Sequence, residues 1–86
     1  MQDDKKLQRA FGLAVRRARE RLDVSQDTLA ELADLHRTYI GSVERGERNV
    51  SLINIAALAK ALRITPTKLM ADCEACLRSL QPRRAE

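Results

Sequence analysis

QDTLAELADLHRTYIGSVE, residues 26–44, reads as two short helices joined by a turn. Leu29, Ala30, Leu32 and Ala33 recur at helical spacing and mark the inner face of the first helix; Tyr39, Ile40 and Val43 mark that of the second. Ala30 is small where two helices must cross closely, because a longer side chain would hold the backbones apart. Asp34 falls at the bend, and an Asx side chain tolerates positive φ better than most residues. With Ile40 and Val43 turned inward, Arg37, Thr38, Gly41, Ser42 and Arg45 are expected to face solvent as one polar strip.

Upstream, Leu7, Phe11, Ala14, Val15, Ala18 and Leu22 repeat on one face of a helix that is expected to start at Lys5, after a frayed segment 1–4. Lys5, Lys6, Arg9, Arg16, Arg17, Arg19 and Arg21 stand against a single acid, Glu20, so the outer face of this helix is strongly positive. Such a face is either simply solvated or lies along phosphates. Ser25 is the N-cap of the following helix. The segment from Leu22 to Leu35 carries four acids and no base, so that helix is not expected to lie flat on a polyanion, its N-terminal amides excepted.

Downstream, Gly46 is placed to end the third helix and Ser51 to cap a fourth, whose core face is Leu52, Ile55, Leu58, Ala59 and Leu62. Thr65 followed by Pro66 opens a fifth in the favoured order of cap and then proline. In that last helix Leu69, Cys73, Cys76 and Leu80, with Met70 and Leu77 alongside, spell two heptads of an apolar seam. One small core cannot easily bury all of it, so part of the seam is expected to close the core and the remainder to meet a second copy, with Leu69, Cys73, Cys76, Leu77 and Leu80 named as the homodimer interface. Cys73 and Cys76 form C-x-x-C, but they lie on one apolar helix face without a second pair, which favours reduced packing over metal or disulfide chemistry. Pro82 ends the helix, leaving residues 81–86 as a basic tail.

Eighty-six residues make one domain, 5–80, with a thin core. Scarce glycine and proline, with one Phe and one Tyr, point to an all-α protein. A formal charge of +4 suits a polyanionic partner. No apolar run approaches membrane-spanning length and residues 1–9 lack the apolar core of a signal peptide, so a cytoplasmic location is expected. No paired carboxylates, activated nucleophile or glycine-rich phosphate loop marks an enzyme, and neither metal, cofactor nor small-molecule substrate is expected.

The 26–44 pattern resembles the helix-turn-helix of the phage-repressor and Cro (XRE-like) regulators, whose second helix lies in the DNA major groove. LHRTYIG, ERGERN and SLINI in fixed order are similar to the small controller proteins of restriction-modification systems, over roughly residues 7 to 70. The resemblance implies a five-helix, lambda-repressor-like domain that binds a pseudo-palindromic operator as a homodimer, at the promoter of its own gene and of a neighbouring endonuclease gene. Arg37, Thr38, Tyr39 and Ser42 are then the base readers, Arg37 foremost, since a guanidinium fork matches guanine O6 and N7; for Tyr39 two placements stay open, a side chain leaning into the groove or a core ring whose hydroxyl reaches a phosphate. Gln26, His36, Arg45, Arg48, Asn49 and Asn54 become phosphate contacts. Arg19 is implied to pair with Glu44 and so to tie the reading helix to the first helix. His36 departs from the family, which usually has Ser or Thr at that cap. A helical interaction module of antitoxin or adaptor type, touching DNA only incidentally, is the alternative; a sequence preference separates the two, whereas salt dependence alone does not.

Overall fold

The structure is a computed structural model and describes residues 3–80. The described residues form five helices: α1 (Asp3–Leu22), α2 (Gln26–Ala33), α3 (Arg37–Glu44), α4 (Leu52–Ala61) and α5 (Pro66–Leu80). α1 starts two residues before the expected position, within the segment expected to fray. The expected tail, 81–86, lies outside the described residues, as do Met1 and Gln2.

Three helices begin as their caps dictate. The hydroxyls of Ser25, Ser51 and Thr65 accept from the amides of Thr28, Asn54 and Lys68, each satisfying a donor that lacks an intrahelical acceptor. Four helices end alike. Asp23, Asp34, Gly46 and Arg63 adopt positive φ, and the next residue's amide bonds back to the carbonyl five residues earlier: Val24 to Arg19, Leu35 to Ala30, Glu47 to Ser42, Ile64 to Ala59. Only one of the four is glycine. At the other three sites the following Val24, Leu35 or Ile64 is half-buried and anchors the turn, which offsets the roughly 1 kcal/mol that a Cβ costs in the left-handed region. Gly46 faces a harder constraint, because a Cβ there would lie 2.7 Å from the Cα of Arg9 on α1.

α1 is the spine of the core. Ala10, Phe11, Ala14, Val15 and Ala18 meet Leu29, Ile40, Val43, Leu58 and Leu69, all buried. Gly12 lets α1 cross the end of α3 backbone to backbone: a Cβ on it would overlap the Val43 carbonyl oxygen and sit 2.7 Å from that of Glu44. Gly12 and Gly46 therefore seat the C-terminal end of α3 directly on α1.

The seam of α5 is spent inside the monomer. α5 packs chiefly on α1, and Leu69, Cys73 and Cys76 are buried in this single chain, with Leu77 and Leu80 packed half-buried at its margin. The expectation that Leu69, Cys73 and Cys76 meet a second subunit is thus corrected. α1 is long enough to run beside the whole seam, so the apolar face finds its partner at home. Burial, the nearby Cys76 and Glu74 push the Cys73 thiol above its usual range, and Arg17 Nη1 donates to Cys76 Sγ at 3.5 Å. Cys73→Ala should cost roughly 1–2 kcal/mol in urea denaturation, through the cavity left between α5 and α1. In the native protein the thiol should also react far more slowly with a thiol reagent than in the unfolded chain.

Three positions assigned to inner faces come out instead. Leu32 is 57% exposed, Leu52 is 80% exposed and Leu7 is also exposed.

Candidate nucleic-acid interface

Asp34 turns the chain so that α3 leaves α2 with its N-terminal end open. His36 is the N-cap by backbone geometry, but its side chain makes no capping bond and is exposed. Arg37 and Thr38 follow, both exposed. Ile40, Gly41, Ser42 and Val43 are buried.

The solvent-facing expectation fails at Gly41 and Ser42. Gly41 lies beneath Arg45 and Gln26: a Cβ there would stand 3.1 Å from Arg45 Nη1 and 3.8 Å from Gln26 Oε1. Ser42 is 5% exposed, and both roles of its hydroxyl are taken, donating to the Tyr39 carbonyl at 2.7 Å and accepting from Arg48 Nε at 3.0 Å. Buried, and with its one hydrogen committed to the Tyr39 carbonyl, Ser42 has no donor to offer a base edge, and its base-reading assignment falls with its exposure. α3 spans eight residues, so the outward strip shortens to its first turn.

Behind that first turn stand two rigid clusters. In one, Glu44 accepts from Arg19 Nε at 2.7 Å, Arg19 Nη2 at 3.0 Å and Gln26 Nε2 at 3.0 Å, while Arg19 Nη1 also donates to the Val24 carbonyl. The Glu44 side chain is 4% exposed. Hydrogen bonding to that carboxylate holds the Arg19 guanidinium above its ordinary pKa. This cluster ties α1, the start of α2 and the end of α3 together, and it turns the Gln26 amide toward α3. In the other, the Arg48 guanidinium lies 5.5 Å from the centre of the Tyr39 ring, and Asn54 Nδ2 donates to the Tyr39 hydroxyl at 3.1 Å. With the two Ser42 bonds, this locks α3 to the following loop and to α4. Tyr39 is therefore a half-buried strut and does not lean freely outward.

Around α3, the arginines are already engaged. Arg37 Nε lies 3.2 Å from Asp27 Oδ1, and Arg45 donates through Nε and Nη2 to Glu47 at 3.0 and 3.2 Å. Arg45 beside it holds the Glu47 carboxyl below the usual range. Asn49 is exposed on the loop between α3 and α4. Of the basic face of α1, Arg16 pairs with Glu20 and Arg21 with Asp72, both at the surface. The Tyr39–Ser42–Arg48–Asn54 cluster was not visible as a unit in the chain, because separations of six and fifteen residues follow no helical period; the family resemblance offers Arg48 and Asn54 as phosphate contacts, and nothing in their spacing ties them to Tyr39 and Ser42.

Comparison with known proteins agrees with this geometry. The helix-turn-helix family model matches residues 15–69. The control protein C.SmaI of Serratia marcescens is 55% identical over 65% of this chain and 67% of its own. The control protein C.BamHI of Bacillus amyloliquefaciens is 51% identical over 70% of this chain and 75% of its own. Among solved structures, the restriction-modification controller protein C.AhdI of Aeromonas hydrophila superposes with a TM-score of 0.71 at 52% identity, over 72% of this chain and 94% of that one. An all-α fold with the turn at Asp34, the α3 reading end and these relatives together place the chain: it belongs to the helix-turn-helix family, as a DNA-binding regulator of the restriction-modification controller type.

Proposed function

We propose that the protein binds duplex DNA sequence-specifically as a homodimer and so regulates transcription, with two copies of α3 about 34 Å apart on a pseudo-palindromic operator. The observation that carries this reading is the exposed Arg37 and Thr38 at the open N-terminal end of a helix held rigidly from behind by Glu44 and Tyr39. Arg37 takes guanine O6 and N7, and Thr38 meets a thymine methyl or a base hydrogen bond. Gln26, His36, Arg45, Arg48, Asn49 and Asn54 flank that end and supply phosphate contacts, Gln26 with the first amides of α2. Arg45 exchanges Glu47 for phosphate at small cost, since exposed ion pairs contribute little.

The second copy fits the surface that the fold leaves apolar. Leu52 and Ile53, 80% and 79% exposed, open α4 directly after the α3–α4 loop. Leu52 lines a groove of 650 Å³ with Ile55, Pro66, Thr67, Met70, Ala71 and Glu74, and no Lys or Arg enters it although the chain carries 16. A basic protein pairs with itself most easily through a window free of Lys and Arg, and one placed beside the α3–α4 loop can set two α3 helices on the same side of the dimer.

The test of base reading uses a duplex that the wild-type protein selects from a random-sequence pool. Arg37→Ala should cost about 1–3 kcal/mol on that duplex in gel shifts at fixed salt, and much less on a scrambled one. Equal losses on both would reduce Arg37 to a phosphate contact. A wild-type protein that selects no sequence would overturn the reading.

A further inference from the structure

Five arginines lie on α1, and four of them are engaged. Arg16 pairs with Glu20, Arg19 with Glu44 and Arg21 with Asp72, while Arg17 donates to Cys76 Sγ. Arg9 is the exception: it is exposed and makes no hydrogen bond or ion pair among the described residues. Gly46 is what brings it against α3. A Cβ there would stand 2.6 Å from Arg9 Cγ and 2.7 Å from its Cα, so the Arg9 stem lies across the turn that ends α3. Arg9 then lines a cleft of about 180 Å³ with Leu13, Glu44, Arg45 and Leu80, and its neighbour Gln8 lines another with Arg48 and Asn49. The N-terminal half of α1 thus flanks the segment 45–49.

The first of these clefts is cationic and lacks an available counter-charge. Its one carboxylate, Glu44, is 4% exposed and already accepts from Arg19 and Gln26. Arg45 has Glu47, but both stand in solvent, and such a pair yields readily to a stronger anion. Two cationic side chains on one opening gain most from an anion that both can reach, and the oxygens of a phosphate can accept from two guanidinium groups at once.

We propose that Arg9 is a further phosphate-binding residue, which shares with Arg45 one backbone phosphate of duplex DNA at the cleft between α1 and the end of α3. This rests on the binding of duplex DNA proposed above, and it adds α1 to the elements that touch the duplex. With its stem already laid over Gly46, the Arg9 side chain has less rotamer freedom to lose on docking. A phosphate contact strengthens binding to every sequence alike and fixes orientation without reading bases.

The experiment compares the wild type with Arg9→Gln, Arg9→Lys, Arg45→Gln and Lys60→Gln in gel shifts over a range of salt, on the duplex that the wild type selects and on a scrambled one. Arg9→Gln keeps a stem to lie over Gly46 and loses the charge. It should weaken binding to both duplexes by the same factor, roughly eight-fold for each chain bound at about 0.1 M salt, and flatten the log–log salt slope by about 0.9 per chain. Arg9→Lys should keep most of that slope. Lys60→Gln removes the same charge from the last turn of α4 and should leave the slope unchanged. Ethylation interference locates the contact: one phosphate in each half-site should weaken wild-type binding when ethylated, and should lose that effect in both Arg9→Gln and Arg45→Gln. If Lys60→Gln flattens the slope as much, and no phosphate loses its effect in Arg9→Gln, Arg9 contributes only net charge. A lower melting temperature with an unchanged slope would make it a packing residue over Gly46. Either result overturns the proposal, and so does a different phosphate for each arginine. A wild type that binds no duplex removes the DNA reading itself, and this inference with it. One that binds, with slope and interference pattern untouched by Arg9→Gln, sinks the inference alone.

Discussion

Glu44→Ala is expected to lower the stability of the domain by about 3 kcal/mol, near the bottom of the range for breaking a buried ion pair. The substitution removes the acceptor of three hydrogen bonds at once and leaves the Arg19 guanidinium, 14% exposed, among groups that cannot replace it. Arg19 keeps its bond to the Val24 carbonyl and some access to water, which is why the upper end of the range does not apply. For a domain of this size the loss corresponds to roughly 15 °C in melting temperature. Glu44→Gln should cost less, because an amide oxygen can still accept from Arg19. In Glu44→Ala Gln26 also loses its anchor, so DNA binding by that variant should weaken beyond what the unfolded fraction explains. If Glu44→Ala melted within a few degrees of the wild type, the cluster would be ornament, and α3 would be seated by Gly12 and the core alone.

Leu52→Asp should convert dimer to monomer and lower affinity for a duplex with two half-sites by about 100-fold or more, while affinity for a single half-site changes little. Leu52 is exposed in the single chain, so the new carboxylate can remain in water there, and an acid in the first turn of α4 suits the helix dipole. In a symmetric interface the same charge would have to be desolvated twice. Sedimentation at micromolar concentration reads the assembly, and gel shifts on full and half operators read the consequence. Leu52→Lys should act in the same way, which separates loss of the partner from repulsion of DNA by a carboxylate. Persistence of the dimer in both variants would place the interface away from the α4–α5 groove.

The two expected effects have different origins. Glu44 acts within one chain, through a carboxylate that is worth having only because its three donors converge on it. Leu52, in the proposed dimer, acts between chains, through an apolar surface that one chain leaves in water and a second copy would cover. The proposed base reading would depend on both: Glu44 fixes how α3 stands on its own domain, and the Leu52 surface would fix where the second α3 stands.

Much was legible in the residues alone. Helix order, the Ser25, Ser51 and Thr65 caps, the left-handed turn at Asp34 and the end of α3 at Gly46 follow from local rules, because each depends on side chains within a few positions of the backbone they satisfy. The exposed Arg37 and Thr38 follow from helical period. What tertiary structure decided was which apolar face met which. Period places Leu69, Cys73 and Cys76 on one stripe but does not say whether that stripe meets a neighbouring helix or another molecule; a twenty-residue α1 running beside it settled the matter within the monomer. Likewise Leu52 and Leu32 share the period of their buried neighbours and yet stand in solvent, because helical period alone does not say where a neighbouring helix lies. Ser42 points inward because Arg48, six residues on and past a left-handed turn, folds back to meet it, a contact set by the path of the chain between them and invisible to any helical repeat.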